Sequence, residues 1–185
     1  MTKTSLFSVT AAIFISLTSI TTTAQKLVSS KTHFKFFSTT PAEDIEANNY
    51  KTVGTIETGT GEIVFSVPMQ SFEFEKSLMQ EHFNSKKFLD TKTNPKAKLV
   101  GKITDLTQVD FVKDGSYDVE VQGDLTINGV TKSIKEKANI TVIGGKVALE
   151  TVFNITLVDY EIAFEKGKPS TNVAKIIEVT AIANY

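Results

Sequence analysis

Polar and apolar residues alternate strictly along the second half of the chain. Tyr117, Val119, Val121, Leu125 and Ile127 share one parity; Asp118, Glu120, Gln122, Asp124 and Thr126 share the other. Val147, Leu149, Phe153, Ile155 and Leu157 repeat the pattern, opposed by Glu150, Asn154 and Thr156. A period of two places one face of a strand in a dry core and the other in water. Asn128-Gly129 separates two such runs and supplies cheaply the two φ > 0 positions of a type I′ turn. Asp114-Gly115 lies about one strand earlier and Gly144-Gly145 about one strand later. The pattern therefore predicts a meander of antiparallel strands joined by two-residue turns.

The same reading over the whole chain predicts eight strands, at 26–38, 51–58, 62–70, 97–112, 116–127, 130–143, 146–160 and 172–184. Long strands in an open sheet leave two long edges, and closure into a barrel removes them. One insertion breaks the pattern. From Glu75 to Asn84 the period is helical: Leu78, Met79, His82 and Phe83 fall on one side, with Lys76 and Gln80 elsewhere. Asn94-Pro95 marks a turn before the fourth strand. In a closed barrel, Ile63, Phe65, Val67 and Met69 on the third strand should face inward, as should Phe153, Ile155 and Leu157 on the seventh.

The first 24 residues read differently. Lys3 precedes an uncharged run that is apolar around Leu6 to Leu17 and ends in Thr22-Thr23-Ala24. This is the layout of a cleaved signal peptide, with the cut after Ala24. The run is short and rich in Ser and Thr, below the ~20 apolar residues of a membrane span. Residues 1–24 are thus expected as a signal peptide, and residues 25–185 as one domain that is periplasmic or secreted, with no transmembrane anchor.

Composition removes several functions. Cys is absent, so there are no disulfides and no thiolate metal site. Arg is also absent and the formal net charge is −1, which disfavours nucleic acid as a partner.

Four stretches resemble the YceI-like family of polyisoprenoid-binding, lipocalin-like proteins. They are His33-Phe34-Lys35-Phe36; Leu78-Met79-Gln80-Glu81-His82-Phe83-Asn84 with Phe88-Leu89-Asp90 and Asn94-Pro95; Gly123-Asp124-Leu125-Thr126-Ile127-Asn128-Gly129-Val130-Thr131-Lys132; and the closing strands. The third is the most specific, with Asn128 where the family pattern has His. The chain departs from the family in having no Trp, in Ser30-Lys31-Thr32-His33 at the opening, and in Glu75-Lys76 where many members carry Arg-Asp. The resemblance implies an all-β fold: an eight-stranded antiparallel lipocalin-like β-barrel with one short helical insertion, exported, holding a long amphipathic chain in its bore.

Candidate chemistry is sparse. His33 and His82 are far apart and neither has ligand spacing; a zinc site needs three or four ligands. His82 is expected to be a structural histidine on the apolar helix side, and His33 a surface or rim residue. No Gly-x-Ser-x-Gly elbow is present, and pairs such as Glu73 with Glu75 or Asp159 with Glu161 read as solvated strand faces. No enzyme, metal or cofactor is expected. The apolar set is richer, with 13 Phe in 185 residues. Phe72, Phe74 and Phe88 join Phe34, Phe36, Phe65, Phe83 and Phe153 as candidates for the bore or its mouth.

A small barrel's apolar interior either fills it or holds one ligand, and the residues alone leave both readings open. The resemblance favours a ligand: an isoprenoid, quinone or fatty-acyl lipid. Its expected contacts are Phe34, Phe36, Ile63, Phe65, Val67, Leu78, Met79, Phe83, Phe153, Ile155 and Leu157. The competing reading is a structural, stress-related or protein-interaction barrel with a filled core. Glu136 interrupts the inward parity of Ile134, Ala138, Ile140 and Val142. It is expected at the rim or beside a bulge rather than inward as a headgroup contact, because a buried lone carboxylate is costly.

Overall fold

The computed structural model describes residues 24–162, 164–165, 168–169 and 172–185. Apart from Ala24, the predicted signal peptide lies outside them. The fold is all-β. Its strands are β1 (Lys26–Val28), β2 (Lys31–Thr39), β3 (Asp44–Asn49), β4 (Val53–Glu57), β5 (Glu62–Pro68), β6 (Phe72–Phe74), β7 (Lys96–Ile103), β8 (Gly115–Ile127), β9 (Val130–Ile143), β10 (Lys146–Thr156), β11 (Phe164–Glu165), β12 (Lys168–Pro169) and β13 (Ile176–Asn184). One helix, α1 (Ser77–Asn84), lies between β6 and β7. Eleven strands form one curled antiparallel sheet in the order β1-β4-β5-β7-β8-β9-β10-β13-β2-β3-β6; β11 and β12 pair separately.

The predicted count of eight strands is corrected by these pairings. The segment 26–38 bends at Ser29-Ser30. Ser29 N–H donates to Gly54 O at 2.8 Å and Ser30 N–H to Asn184 O at 2.7 Å. One stretch of chain thereby pairs with β4 through β1 and with β13 through β2, joining the two sides of the sheet. Strands β3 and β6 were not expected. Asp-Ile-Glu-Ala-Asn-Asn has too few apolar residues to read as a strand, and β6 is only 3 residues long. Their partners hold them: β3 pairs with β2 on one side and β6 on the other.

Other boundaries shift for local reasons. The predicted strand 97–112 stops at Ile103. The Asp105 carboxylate then accepts from Thr107 N–H at 3.0 Å and opens a short 3-10 turn, Leu106–Gln108. The alternation of Val109 with Phe111 continues the apolar pattern without continuing the strand. Strand 146–160 leaves the ladder after Thr156 into a second such turn, Leu157–Tyr160, which ends on Glu161 at φ 55°.

Two of the three predicted tight turns form. Asn128 and Gly129 have φ 51° and 76°, and close the long β8–β9 ladder at Ile127↔Val130. Gly144 and Gly145, at 57° and 77°, close β9–β10. Asp114-Gly115 makes no such turn, because β7 and β8 are joined by the longer 104–114 connection. Asp114 serves the neighbouring turn instead, accepting from Gly144 N–H at 2.9 Å. At Gly129 an added Cβ would meet only Asn94 Oδ1, at 3.5 Å, so the constraint is φ rather than space. Gly129→Val should therefore destabilise by about 1–2 kcal/mol, the cost of an L side chain in the left-handed region. An unchanged midpoint in urea unfolding would contradict a tight turn here.

The interior divides along its height. At the end carrying the 104–114 connection, a closed core gathers Ile56, Ile63, Phe65, Ile140, Val142 and Leu149. At the end carrying α1, a second cluster gathers Met69, Phe72, Phe83, Leu125, Ile127, Ile155 and Leu157. Predicted parity holds in both: on β8, Val119, Val121, Leu125 and Ile127 are buried while Asp118, Gln122 and Asp124 are exposed.

Candidate functional site

The second cluster surrounds a cavity of about 1010 Å³. Phe34, Phe36 and Ser38 reach it from β2, Val67 from β5, Leu125 and Ile127 from β8, Phe153 and Ile155 from β10, and Ile177 and Val179 from β13. These positions are alternate residues, as expected where strands present one face to an enclosed space. The segment between β5 and β7 covers this end, contributing Met69, Phe72, Phe74, Met79, Phe83, Phe88 and Leu89.

Phe83 is the hub of that cover. Its ring lies 5.0 Å from Phe74, 5.6 Å from Phe72, 5.7 Å from Phe36 and 6.3 Å from Phe88, centroid to centroid. Phe36 stacks on it and the other three rings are edge-to-face or tilted; such pairs contribute ~0.5–1.5 kcal/mol each beyond area burial. A helix of eight residues is too short to persist alone, so this packing holds α1 in place. Past its end, buried Thr91 donates to Asn84 Oδ1 at 2.7 Å, and Asn94 donates to Asn128 Oδ1 at 2.9 Å. The helix segment and the Asn128-Gly129 hairpin, quoted apart in the sequence, are thus bonded to each other.

The predicted contacts separate into three groups. Phe34, Phe36, Val67, Met79, Phe83, Phe153, Ile155 and Leu157 border the cavity. Ile63 and Phe65 face inward as expected but belong to the closed core, 0% and 4% exposed, and do not reach the cavity. Parity cannot tell the two ends of a bore apart. Leu78 is 60% exposed and points away: with α1 beginning at Ser77 and anchored by Phe83, its position falls on the outer side. His82, expected in the apolar packing, is exposed at the cavity rim. Ala97, Ile162 and Val173 also line the cavity unanticipated, as does Ile45 on the unpredicted β3. Leu125 and Ile127 were legible as inward residues of β8, but nothing marked them as cavity rather than core.

Charge gathers at one side of the rim. Glu43 borders the cavity and pairs with Lys76 at 3.2 Å; Lys35 pairs with Glu46 at 3.8 Å on the outer face, with the parity of His33. Ser38 is buried and its Oγ accepts from Ala174 N–H at 2.9 Å. An amphipathic molecule with its tail among the phenylalanines would meet polar groups here. His33 lies on the outer face, its Nε2 2.7 Å from Asn48 Oδ1 and its ring stacked on Tyr50. Among the described residues no three of His, Asp or Glu stand together as metal ligands.

Glu136 does not sit beside a bulge. The β8–β9 register runs unbroken from Gly115↔Val142 to Ile127↔Val130, so Glu136 keeps the parity of Ala138 and Ile140. It lies beyond Asn139↔Glu150, where the β9–β10 ladder ends, and it does not line the cavity. Desolvation holds its carboxyl above the usual range. A folded state that favours the protonated acid loses stability as pH rises through and above the ordinary carboxylate value. Glu136→Gln should therefore raise the melting temperature at neutral pH. The gain should vanish in acid, where the native side chain is already protonated; melting curves across pH test both halves.

A curled antiparallel sheet enclosing an apolar cavity, with a short helical cover at one end, defines a class of β-protein built to surround a space. The chain belongs to the YceI-like family, whose domain description matches residues 16–184. It is 34% identical over 108 residues to Protein YceI of Escherichia coli, a match covering 55% of this chain and 52% of that one. The matched stretch thus spans about half the length of that curated relative. Among solved structures it resembles a polyisoprenoid binding domain from Saccharophagus degradans implicated in plant cell wall breakdown, with TM-score 0.73 and 16% identity, covering 88% of this chain and 98% of the other. It also resembles Burkholderia cenocepacia BcnA, with TM-score 0.68 and 16% identity, covering 83% and 96%. At these identities the structural likeness speaks for the fold.

Proposed function

We propose that this protein binds one amphipathic lipid without chemically changing it, with the apolar chain in the α1 end of the barrel interior and the polar group at the Glu43–Lys76–His82 side of the rim. The observation that carries this is the cavity itself: about 1010 Å³, walled by aromatic and aliphatic side chains, beside a closed core of buried side chains at the other end. Apolar burial at roughly 25 cal/mol per Å² supplies the driving force. Family membership and the printed description of the Saccharophagus degradans domain support an isoprenoid as the ligand class, with a quinone or a fatty-acyl chain as variants of the same chemistry. The signal-like first 24 residues support export, to the periplasm or outside the cell, as the setting. No helix among the described residues is long and apolar enough to cross a membrane.

The filled structural barrel describes the closed end around Ile63 and Ile140 and leaves the α1 end unexplained. Native mass spectrometry of the protein purified from its own host tests the proposal. The expected result is a protein carrying one lipid mass that organic extraction removes and added lipid restores. A stable protein that never acquires a lipid, even when presented with prenols and fatty acids, would overturn it.

A further inference from the structure

The cavity occupies only part of the height that the strands provide. On β2 it runs from Phe34 to Ser38, four residue steps or ~13 Å at ~3.3 Å per residue. Strands β8 and β9 have 13 and 14 residues, about three times that height at the same rise. What ends the cavity is a pair of rings. Phe34 belongs both to the cavity wall and to the closed core, and meets Phe65 edge-on at 5.3 Å and 61°. Phe65 lies directly behind it. The Phe65 ring occupies the place where a Cβ on Gly54 would stand, so the missing side chain of β4 makes room for it. Ile56, Ile63 and Leu149, all nearly inaccessible, fill the space beyond.

We propose that Phe34, backed by Phe65 over Gly54, is the floor of the lipid site and sets the longest apolar chain this protein encloses. The proposal rests on the lipid-binding reading and adds a size class to it. A volume of about 1010 Å³ holds roughly thirty heavy atoms if each takes the ~30 Å³ share of a liquid water. Geranylgeraniol and geranylfarnesol, with about 21 and about 26 heavy atoms, fit within that; hexaprenol, with about 31, reaches the limit, and solanesol exceeds it. The ligand class is then a short prenyl or fatty amphipath rather than a polyprenyl chain as long as the barrel. Phe34 and Phe65 act as specificity-determining residues.

Displacement of bound 1-anilinonaphthalene-8-sulfonate by geraniol, farnesol, geranylgeraniol, geranylfarnesol, hexaprenol and solanesol tests this. Each enclosed methylene is worth roughly fourfold in affinity. Wild-type affinity should climb more than tenfold per prenyl unit up to geranylfarnesol and then stop climbing. Phe34→Ala removes most of a ring from the floor and should move the break to hexaprenol, with at least a tenfold gain for that prenol over wild type. Phe34→Leu, a milder change that guards against loss of the fold, should shift it in the same direction by less. A wild-type affinity that keeps climbing to solanesol, or a break that stays in place in a folded Phe34 variant, overturns the floor and leaves lipid binding standing. If no prenol displaces the probe, both proposals fall.

Discussion

Gly123→Ala is expected to cost about 3 kcal/mol or more of folding stability, although it adds a single methyl group to a strand. Gly123 and Gly101 stand directly opposite each other in the β7–β8 ladder. A Cβ on Gly123 would collide with Gly101 Cα and lie 2.5 Å from Val100 O. Both obstacles are backbone, so no rotamer change relieves them. Overpacking against movable side chains costs typically ~1–3 kcal/mol. Here the strands themselves must part, which weakens ladder hydrogen bonds worth ~1 kcal/mol each. The position explains why close approach occurs there. Val121 and Ile103 belong to the closed core, Leu125 to the cavity cluster, and the glycine pair lies between them. With no side chain at that level, the two strands draw together where the interior changes character. Urea unfolding of Gly123→Ala beside Asp124→Ala, an exposed neighbour, gives the comparison. Equal midpoints for the two variants would show that the strands relax freely.

Much of this fold is legible in the chain because period-two alternation is a local signal. Strands β8, β9 and β10 and the two glycine-containing turns between them follow directly from it. The features that escape depend on partners far away in sequence. Strand β3 is polar by composition and exists through its ladders with β2 and β6. Asp114-Gly115 has the residues of a tight turn, but it ends the long 104–114 connection, and Gly115 re-enters the sheet opposite Val142. The same division runs through the candidate site. Alternation correctly turns Ile63, Phe65 and Val67 inward, yet only Val67 borders the cavity; Met69, expected on the same strand, reaches it from the short 3-10 turn after β5. Depth along a barrel is a property of how all strands are staggered, and no single strand records it. Leu78 fails for another reason. An eight-residue helix gives few positions from which to fix its apolar face, and the anchor turned out to be Phe83 with Met79. The rim charge Glu43 carried no signal at all; it is an ordinary surface residue until the sheet curls.

Phe83→Ala is expected to remove lipid binding while leaving most of the sheet intact. Phe83 is buried and packs against four other phenylalanines that share the cavity wall. Truncating a buried Phe costs about 3–5 kcal/mol. That loss falls on α1 and its neighbours, because the helix reaches the sheet through little else: Leu78 and His82 are exposed and Met79 is only half-buried. A short helix without its anchor does not persist in water. The cover over the cavity should loosen, admitting water to the surface that would bind the chain. Hydrogen exchange should then quicken across residues 77–91, while β8, β9 and β10 keep their protection. In the same preparation, bound lipid should be lost. Phe83→Leu retains an apolar anchor and should recover part of both properties. Full lipid retention in Phe83→Ala, with α1 exchanging rapidly, would show that the cover is dispensable and that the strands alone hold the ligand. Slowly exchanging α1 in the same variant would instead mean that contacts other than the phenylalanine cluster hold the helix.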